Sequence, residues 1–321
     1  MSVLIYAESA EGKIKKGALE LASYAFETAK LMNTEAVAVT INQEDVSELA
    51  QYGITRVIKI NHPKLSSFSA KAYTEAIKQA QEKCNAKIVI VSSTIDSLYL
   101  GSILAATLQA GYTSNVVALP NSISPFIIKR TAFSNKAFNL SEITTEIKLL
   151  SLAKNSFGLK ENSVSISEET LDVNLSDDLF GIEIVKQEKT TGKVTIADAD
   201  IVVSAGRGLK GPENWGMIEE LAQVLGAATA CSKPVSDLGW RSHAEHVGQT
   251  GKPVATNLYI AIGISGAIQH IAGINSSKVK VVINTDPEAP FFKVADYGVV
   301  GDAFEIVPQL IEKFKNFKAN N

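Results

Sequence analysis

The sequence predicts two α/β domains: an N-terminal α/β nucleotide-binding-like domain with an antiparallel annex, and a C-terminal doubly wound parallel-sheet domain. Three observations carry this. Short apolar runs alternate with stretches of helical periodicity in both halves of the chain, as parallel βαβ units require. Residues 155–192 between them are polar and rich in Ser, Glu, Asp and Asn. The length of 321 residues suits two cores, at roughly 100–200 residues per domain.

Taken in order, residues 3–7 form an apolar run, and Ala18, Leu21, Ala22, Ala25 and Ala29 follow at helical spacing. Strand-like runs at 36–41, 56–60 and 87–91 alternate with helical patterns at 70–82 and 98–109. From 126 to 151 the pattern turns meander-like: FIIKRTAF and TTEIKLLSL flank the turn-prone Ser134-Asn135-Lys136, and these form the expected annex. VSISEE and FGIEIVKQE keep some alternation within a connector at 155–192, placing the boundary near Gly192 and the domains at 1–192 and 193–321. Beyond it, strands are expected at 201–205, 227–231, 258–263 and 279–284, and helices at 214–225, 265–271 and 303–317.

A formal net charge of -3, from 31 basic and 34 acidic residues spread evenly, gives no footprint for nucleic acid or anionic lipid. The two cysteines, Cys84 and Cys231, sit in apolar segments, which argues for a reducing compartment. The opening MSVLIYAESAEGK lacks the features of a signal peptide, and no run of 18 apolar residues occurs. A soluble cytoplasmic protein without membrane insertion is expected.

The chemistry concentrates between residues 200 and 303. The run DIVVSA leads into Gly206-Arg207-Gly208-Leu209-Lys210-Gly211 and then a helical pattern, the context of a dinucleotide-binding turn. Backbone N–H groups there attract phosphate, and Arg207 adds a fork of donors. The acidic residue expected after the second strand is absent; Ser232 and Lys233 stand there instead. Lys233 suits an NADP 2′-phosphate, so an NADP-dependent oxidoreductase and a non-redox adenine-nucleotide module both remain open at this point. A second turn, Ile262 to His270, offers small residues at a strand end, and His270 can change charge near neutrality. His246-Val-Gly-Gln-Thr-Gly-Lys252 is loop-like, and Gln249 and Thr250 can meet the edge of a polar ring system. His243, Glu245 and His246 lack a recognised metal spacing, and no nucleophile elbow or Walker pattern occurs, so neither a metal nor a catalytic residue is expected.

GRGLKGPENW, VGQTGK, YIAIGISGAIQHIAG and VVINTDPEAPFFKVADYG follow one another in an order that closely resembles the electron-transfer flavoprotein alpha-subunit family. The first domain resembles it more weakly, through its LIYAE opening. The resemblance implies that the C-terminal domain binds FAD. Arg207, Ser232 and the turn of Ser265, Gly266, Ala267 and Ile268 would surround the phosphates. Val247, Gly248, Gln249 and Thr250 would run along the flavin, with the Thr250 hydroxyl near N5. His270, after Gln269, would address the C2 carbonyl as a partly cationic ring, raising the potential. Asn284 and the Asp302-Ala303 step would contact the adenosine end. The family commonly has arginine at Lys233, close to the ring; lysine keeps the charge without the planar fork, so FAD binding is expected to survive with an altered potential. The implied assembly is a heterodimer with a beta subunit. It takes electrons from acyl-CoA dehydrogenases of fatty acid beta-oxidation, or similar flavoprotein dehydrogenases, and delivers them to a membrane quinone oxidoreductase. On this reading the chain is a carrier without substrate turnover of its own.

Overall fold

A computed structural model describes residues 2–133, 135–182, 184–185, 195–196 and 199–320. The chain is α/β and divides into two compact units, one of Met1–Phe133 with Ala137–Gln187, the other chiefly of Glu188–Asn321. The boundary expected near Gly192, and most of FGIEIVKQE, lie outside the described residues.

In the first unit, strands β1 (Ser2–Tyr6), β2 (Glu35–Ile41), β3 (Arg56–Ile60), β4 (Ala86–Val91), β5 (Gly111–Val116), β6 (Phe126–Ala132), β7 (Ala137–Glu142), β8 (Lys148–Leu152) and β9 (Ser167–Thr170) form a sheet in the order β7-β6-β5-β8-β4-β1-β2-β3-β9. All neighbours are parallel except β6, which runs antiparallel to both β5 and β7. Helices α1 (Lys16–Leu31), α2 (Ala70–Cys84) and α3 (Ile95–Leu108) cover it. Alternation along each strand serves two cores. Val3, Ile5, Ala36 and Ala38 pack with α1, while Leu4, Val37, Val39 and Ile58 pack with α2 and α3. Side-chain oxygens of Ser69 and Thr94 cap α2 and α3, and Asn85 and Gln109 end them in the left-handed conformation.

The annex differs from expectation in one respect. FIIKRTAF pairs antiparallel with Ala137–Glu142 as a hairpin at the sheet edge, whereas Lys148–Leu152 returns to the sheet interior as a parallel strand between β4 and β5. Leu149 and Leu150 are fully buried on opposite faces, the requirement of an interior parallel strand rather than of an annex.

The second unit contains β10 (Ile201–Ala205), β11 (Ala228–Cys231), β12 (Leu258–Ile262), β13 (Val279–Asn284) and β14 (Tyr297–Val300), all parallel, in the order β11-β10-β12-β13-β14. Helices α4 (Gly216–Leu225), α5 (Lys233–Asp237), α6 (Ile268–Ile274) and α7 (Ala303–Ala319) complete it. Val203, Ala205, Ile260 and Ile283 bury one sheet face against Trp215, Ile218, Leu221, Val307 and Ile311 of the segment around α4 and α7. Val202, Tyr259, Ala261 and Val282 bury the other against Val247, Val254, Ile264, Ile274 and Phe291. This is the doubly wound arrangement expected from the sequence.

Candidate functional site

In each unit the strand order reverses beside the first strand, and such a crevice at the carboxyl ends of the strands is where open α/β sheets receive ligands. In the first unit it lies between β1 and β4. It holds the carboxylate of Glu8, which follows β1 and is 5% exposed. Glu8 accepts hydrogen bonds from the hydroxyls of Ser92, Thr94 (2.7 Å) and Ser97 (2.6 Å), and from the ammonium of Lys15 (3.0 Å). Burial pushes this carboxyl up, but Lys15 and the three hydroxyls outweigh it and hold the group below its usual range.

In the second unit the reversal lies between β10 and β12, and the two glycine turns meet there. Gly206 N–H donates to Ile262 (2.9 Å) and Gly208 N–H to Gly263 (3.1 Å). A Cβ on Gly208 would lie 2.6 Å from Gly263 Cα, and Gly263 itself has φ of +61°, so both turns need glycine to approach this closely. Beyond Gly263 the chain runs open to Ile268. Among the described residues, the amides of Ser265, Gly266, Ala267, Ile268 and Gln269 have no acceptor. The side chains of Ser265, Ala267, Ile268 and Gln269 are exposed. Asn284 holds the turn by donating to Ile264 (3.0 Å), and Phe291 N–H donates to Ser265 (3.0 Å).

The Val247–Gln249 segment is stitched to both neighbouring elements. Val247 N–H donates to Cys231 (3.0 Å), Lys252 N–H to His246 (2.9 Å) and Gln249 N–H to Gln269 (2.8 Å). A Cβ on Gly273 would lie 2.6 Å from Gly248 Cα, so α6 and this loop touch backbone to backbone. Residues 231–232, 247–250 and 265–270, far apart in sequence, therefore form one patch. Gln249 and Thr250 are exposed on it. Ser232 is buried at the end of β11 with its hydroxyl uncommitted to capping α5, and Lys233 is exposed at the first position of that helix. Arg207 is exposed on the turn after β10.

Two expected residues have their side chains committed within the chain. Besides its bond to Ile264, Asn284 accepts from Asp286 N–H (3.1 Å). Asp302 accepts from Phe304 N–H (3.0 Å) as the cap of α7, and its other oxygen lies 3.7 Å from the Lys210 ammonium. Ala303 is buried in the core beside α4.

His270 departs from the expectation of a partly cationic ring. It is 6% exposed, lies beside the rings of Tyr259 and Phe291, and its Nε2 is 2.9 Å from the Tyr259 hydroxyl. Its Nδ1 is buried without a hydrogen-bond partner. Burial first, then the neighbouring His246, lower its pKa to about 4, against an opposing pull from the Val247 backbone. The ring is neutral near pH 7, because burial disfavours its charged form.

Sequence reasoning missed Tyr259 and Arg241. Tyr259 reads as one more residue of an apolar strand; its signal is a lone phenol on the same face as Val202 and Ala261. The Arg241 guanidinium lies 5.3 Å from the Trp215 ring centroid and bonds both oxygens of Glu245 at 2.9 Å, which pins the loop leading into His246. His243 bonds Ser236 (2.6 Å). Glu245 and His243 thus have structural partners.

A doubly wound parallel sheet with paired glycine turns at its reversal, free amides beside them and polar groups along a facing loop defines a nucleotide-cofactor-binding α/β protein. Residues 195–275 match the family described as electron transfer flavoprotein FAD-binding domain, and residues 3–178 match the electron transfer flavoprotein domain. Similar proteins include the electron transfer flavoprotein subunit alpha of Bacillus subtilis (strain 168), 39% identical over 97% of this chain and 98% of the relative. That of Thermoanaerobacterium thermosaccharolyticum is 34% identical over 98% of both chains. The probable mitochondrial alpha subunit of Caenorhabditis elegans is 36% identical over 96% of this chain and 92% of the relative. The chain belongs to the electron transfer flavoprotein alpha-subunit family, and the cofactor of its C-terminal domain is FAD. The residues present fit that group. Unclaimed amides and the Arg207 cation suit a pyrophosphate, close-packed glycines leave the turn open to it, and the unpartnered Nδ1 of His270 suits the polar edge of a ring.

Proposed function

We propose that this chain carries FAD as one half of a heterodimer with an electron transfer flavoprotein beta subunit. The complex moves electrons from acyl-CoA dehydrogenases, or similar flavoprotein dehydrogenases, to a membrane quinone oxidoreductase. The observation that carries the reading is the coincidence of unclaimed amides at 265–269 with the Val247–Thr250 loop and the buried, half-satisfied His270. FAD supplies a reversible electron acceptor that exchanges electrons singly or in pairs.

The chain's own residues bind, orient and shield. The free amides and Arg207 hold the pyrophosphate, with the Ser232 hydroxyl at the neighbouring strand end. Residues 247–250, fixed at both Cys231 and Gln269, form a wall along the ring system and keep water from one side of it. Thr250 offers a hydroxyl and His270 a neutral hydrogen-bonding nitrogen, so these residues would meet the ring system with donors rather than with a full positive charge. Lys233 adds an exposed cation at the mouth. Asn284 and Asp302 act one step back, bracing the 264 turn and α7, while the Asp302-Ala303 step borders the adenosine end.

Calorimetric titration of the FAD-stripped chain with FAD and with NADP tests the reading. Saturable FAD binding is expected, weakened about tenfold by Arg207→Ala through loss of one charge-assisted contact. Tight NADP binding without FAD binding would move the site to a nicotinamide enzyme.

A further inference from the structure

Tyr259 makes the one side-chain hydrogen bond to the ring of His270 found among the described residues. It lies on β12 with 0% exposure, between β10 and β13, and its phenol meets Nε2 at 2.9 Å. Burial holds that phenol far above its usual ionisation range, with the nearby Ser204 hydroxyl opposing slightly, so its proton stays on the oxygen.

Two arrangements satisfy the contact. In one, the phenol donates to Nε2 and the imidazole proton sits on Nδ1, leaving a single buried donor unmet. In the other, Nε2–H donates to the phenol oxygen. The phenolic proton then has only the nearby Ser204 hydroxyl, with which it makes no hydrogen bond, and Nδ1 is a bare lone pair, so two buried groups go unmet. A doubly protonated ring would add a charge to the same unmet donor. The first arrangement leaves the fewest buried groups without partners.

We propose that Tyr259 is a positioning residue that locks His270 in the neutral Nδ1–H tautomer, presenting a hydrogen-bond donor to a carbonyl-type oxygen of the bound cofactor. The lock itself stands on this chain's geometry; only the identity of the acceptor rests on the FAD reading above. It turns a histidine that cannot carry charge in this interior into a fixed donor, and it assigns the strand residue a role that no contact with the cofactor would reveal.

The test is nitrogen-15 NMR of the histidine side chains in the full chain, stripped of FAD, at pH 7. The His270 resonances are assigned by their loss in His270→Asn. A protonated Nδ1 with an unprotonated Nε2 is expected, and Tyr259→Phe, which keeps the ring and its packing, is expected to release the proton into a mixture of both tautomers. A predominantly Nε2–H ring in the unaltered chain would overturn the proposal, whether or not Tyr259→Phe folds. So would an unchanged tautomer in folded Tyr259→Phe. FAD titration then separates the two readings. Tyr259→Phe is expected to weaken FAD binding roughly threefold to tenfold, the effect of one softened hydrogen bond, and to do so only while His270 is present. An Nδ1–H ring in a chain that binds no FAD would leave the lock standing and sink the flavin reading alone.

Discussion

His270 shows how one residue's environment sets its chemistry. Its type and place beside a glycine turn are legible in the sequence, which is why it stands out as a site residue. Its protonation state is not, because that depends on Tyr259 and Phe291 closing around it from elements 11 and 21 positions away. The sign of the pH effect follows directly. The folded chain holds the ring at about 4 against 6.5 for the free side chain. Unfolded chains therefore bind a proton that the fold refuses, and stability falls as pH drops from 6.5 towards 4. Both tryptophans, Trp215 and Trp240, lie in the second unit, so their fluorescence reports its urea unfolding. Between pH 7 and pH 5 the FAD-free chain should lose about 2 kcal/mol more than His270→Gln does. Equal losses in the two proteins would contradict a buried neutral ring.

Elements show what periodicity conveys and where it stops. Apolar spacing places α2 within two residues of expectation, while the helix expected at 265–271 begins at Ile268, after an open stretch that periodicity does not register. Lys148–Leu152 was misplaced because an apolar pentamer reads alike in a hairpin and in a buried parallel strand; only its neighbours β4 and β5 decide. The crevice between β1 and β4 is illegible in the sequence for another reason: Glu8 meets Ser92, Thr94 and Ser97 more than 80 residues away. Glu8→Gln should cost the first unit about 2 kcal/mol, since three hydroxyls and Lys15 lose their carboxylate. The folded pKa is lowered, so this contribution is fully present above 4.5 and disappears as pH falls through the folded value. Hydrogen exchange of the β1 and β4 amides at neutral pH measures it; protection unchanged by Glu8→Gln would contradict the assignment.

At the scale of the whole molecule, two α/β units with mainly parallel sheets differ in what fills the crevice beside the first strand. The first fills it with its own carboxylate. The second leaves amides unclaimed and a histidine half-satisfied, and it is this unit that matches the FAD-binding family. The sequence carries that difference in its letters, since GRGLKG and GISGAIQH are the two turns that meet at Gly208 and Gly263. No helix among the described residues is long and apolar enough to cross a membrane. The direct measurement is the visible spectrum of the chain co-purified with its beta subunit during stepwise chemical reduction, alongside Gly208→Val. The account predicts oxidised-flavin bands that bleach and return reversibly, and their loss from a folded Gly208→Val complex, whose added side chain would collide with Gly263. A colourless complex, or flavin bands untouched by Gly208→Val, would contradict the placement of FAD between these two turns.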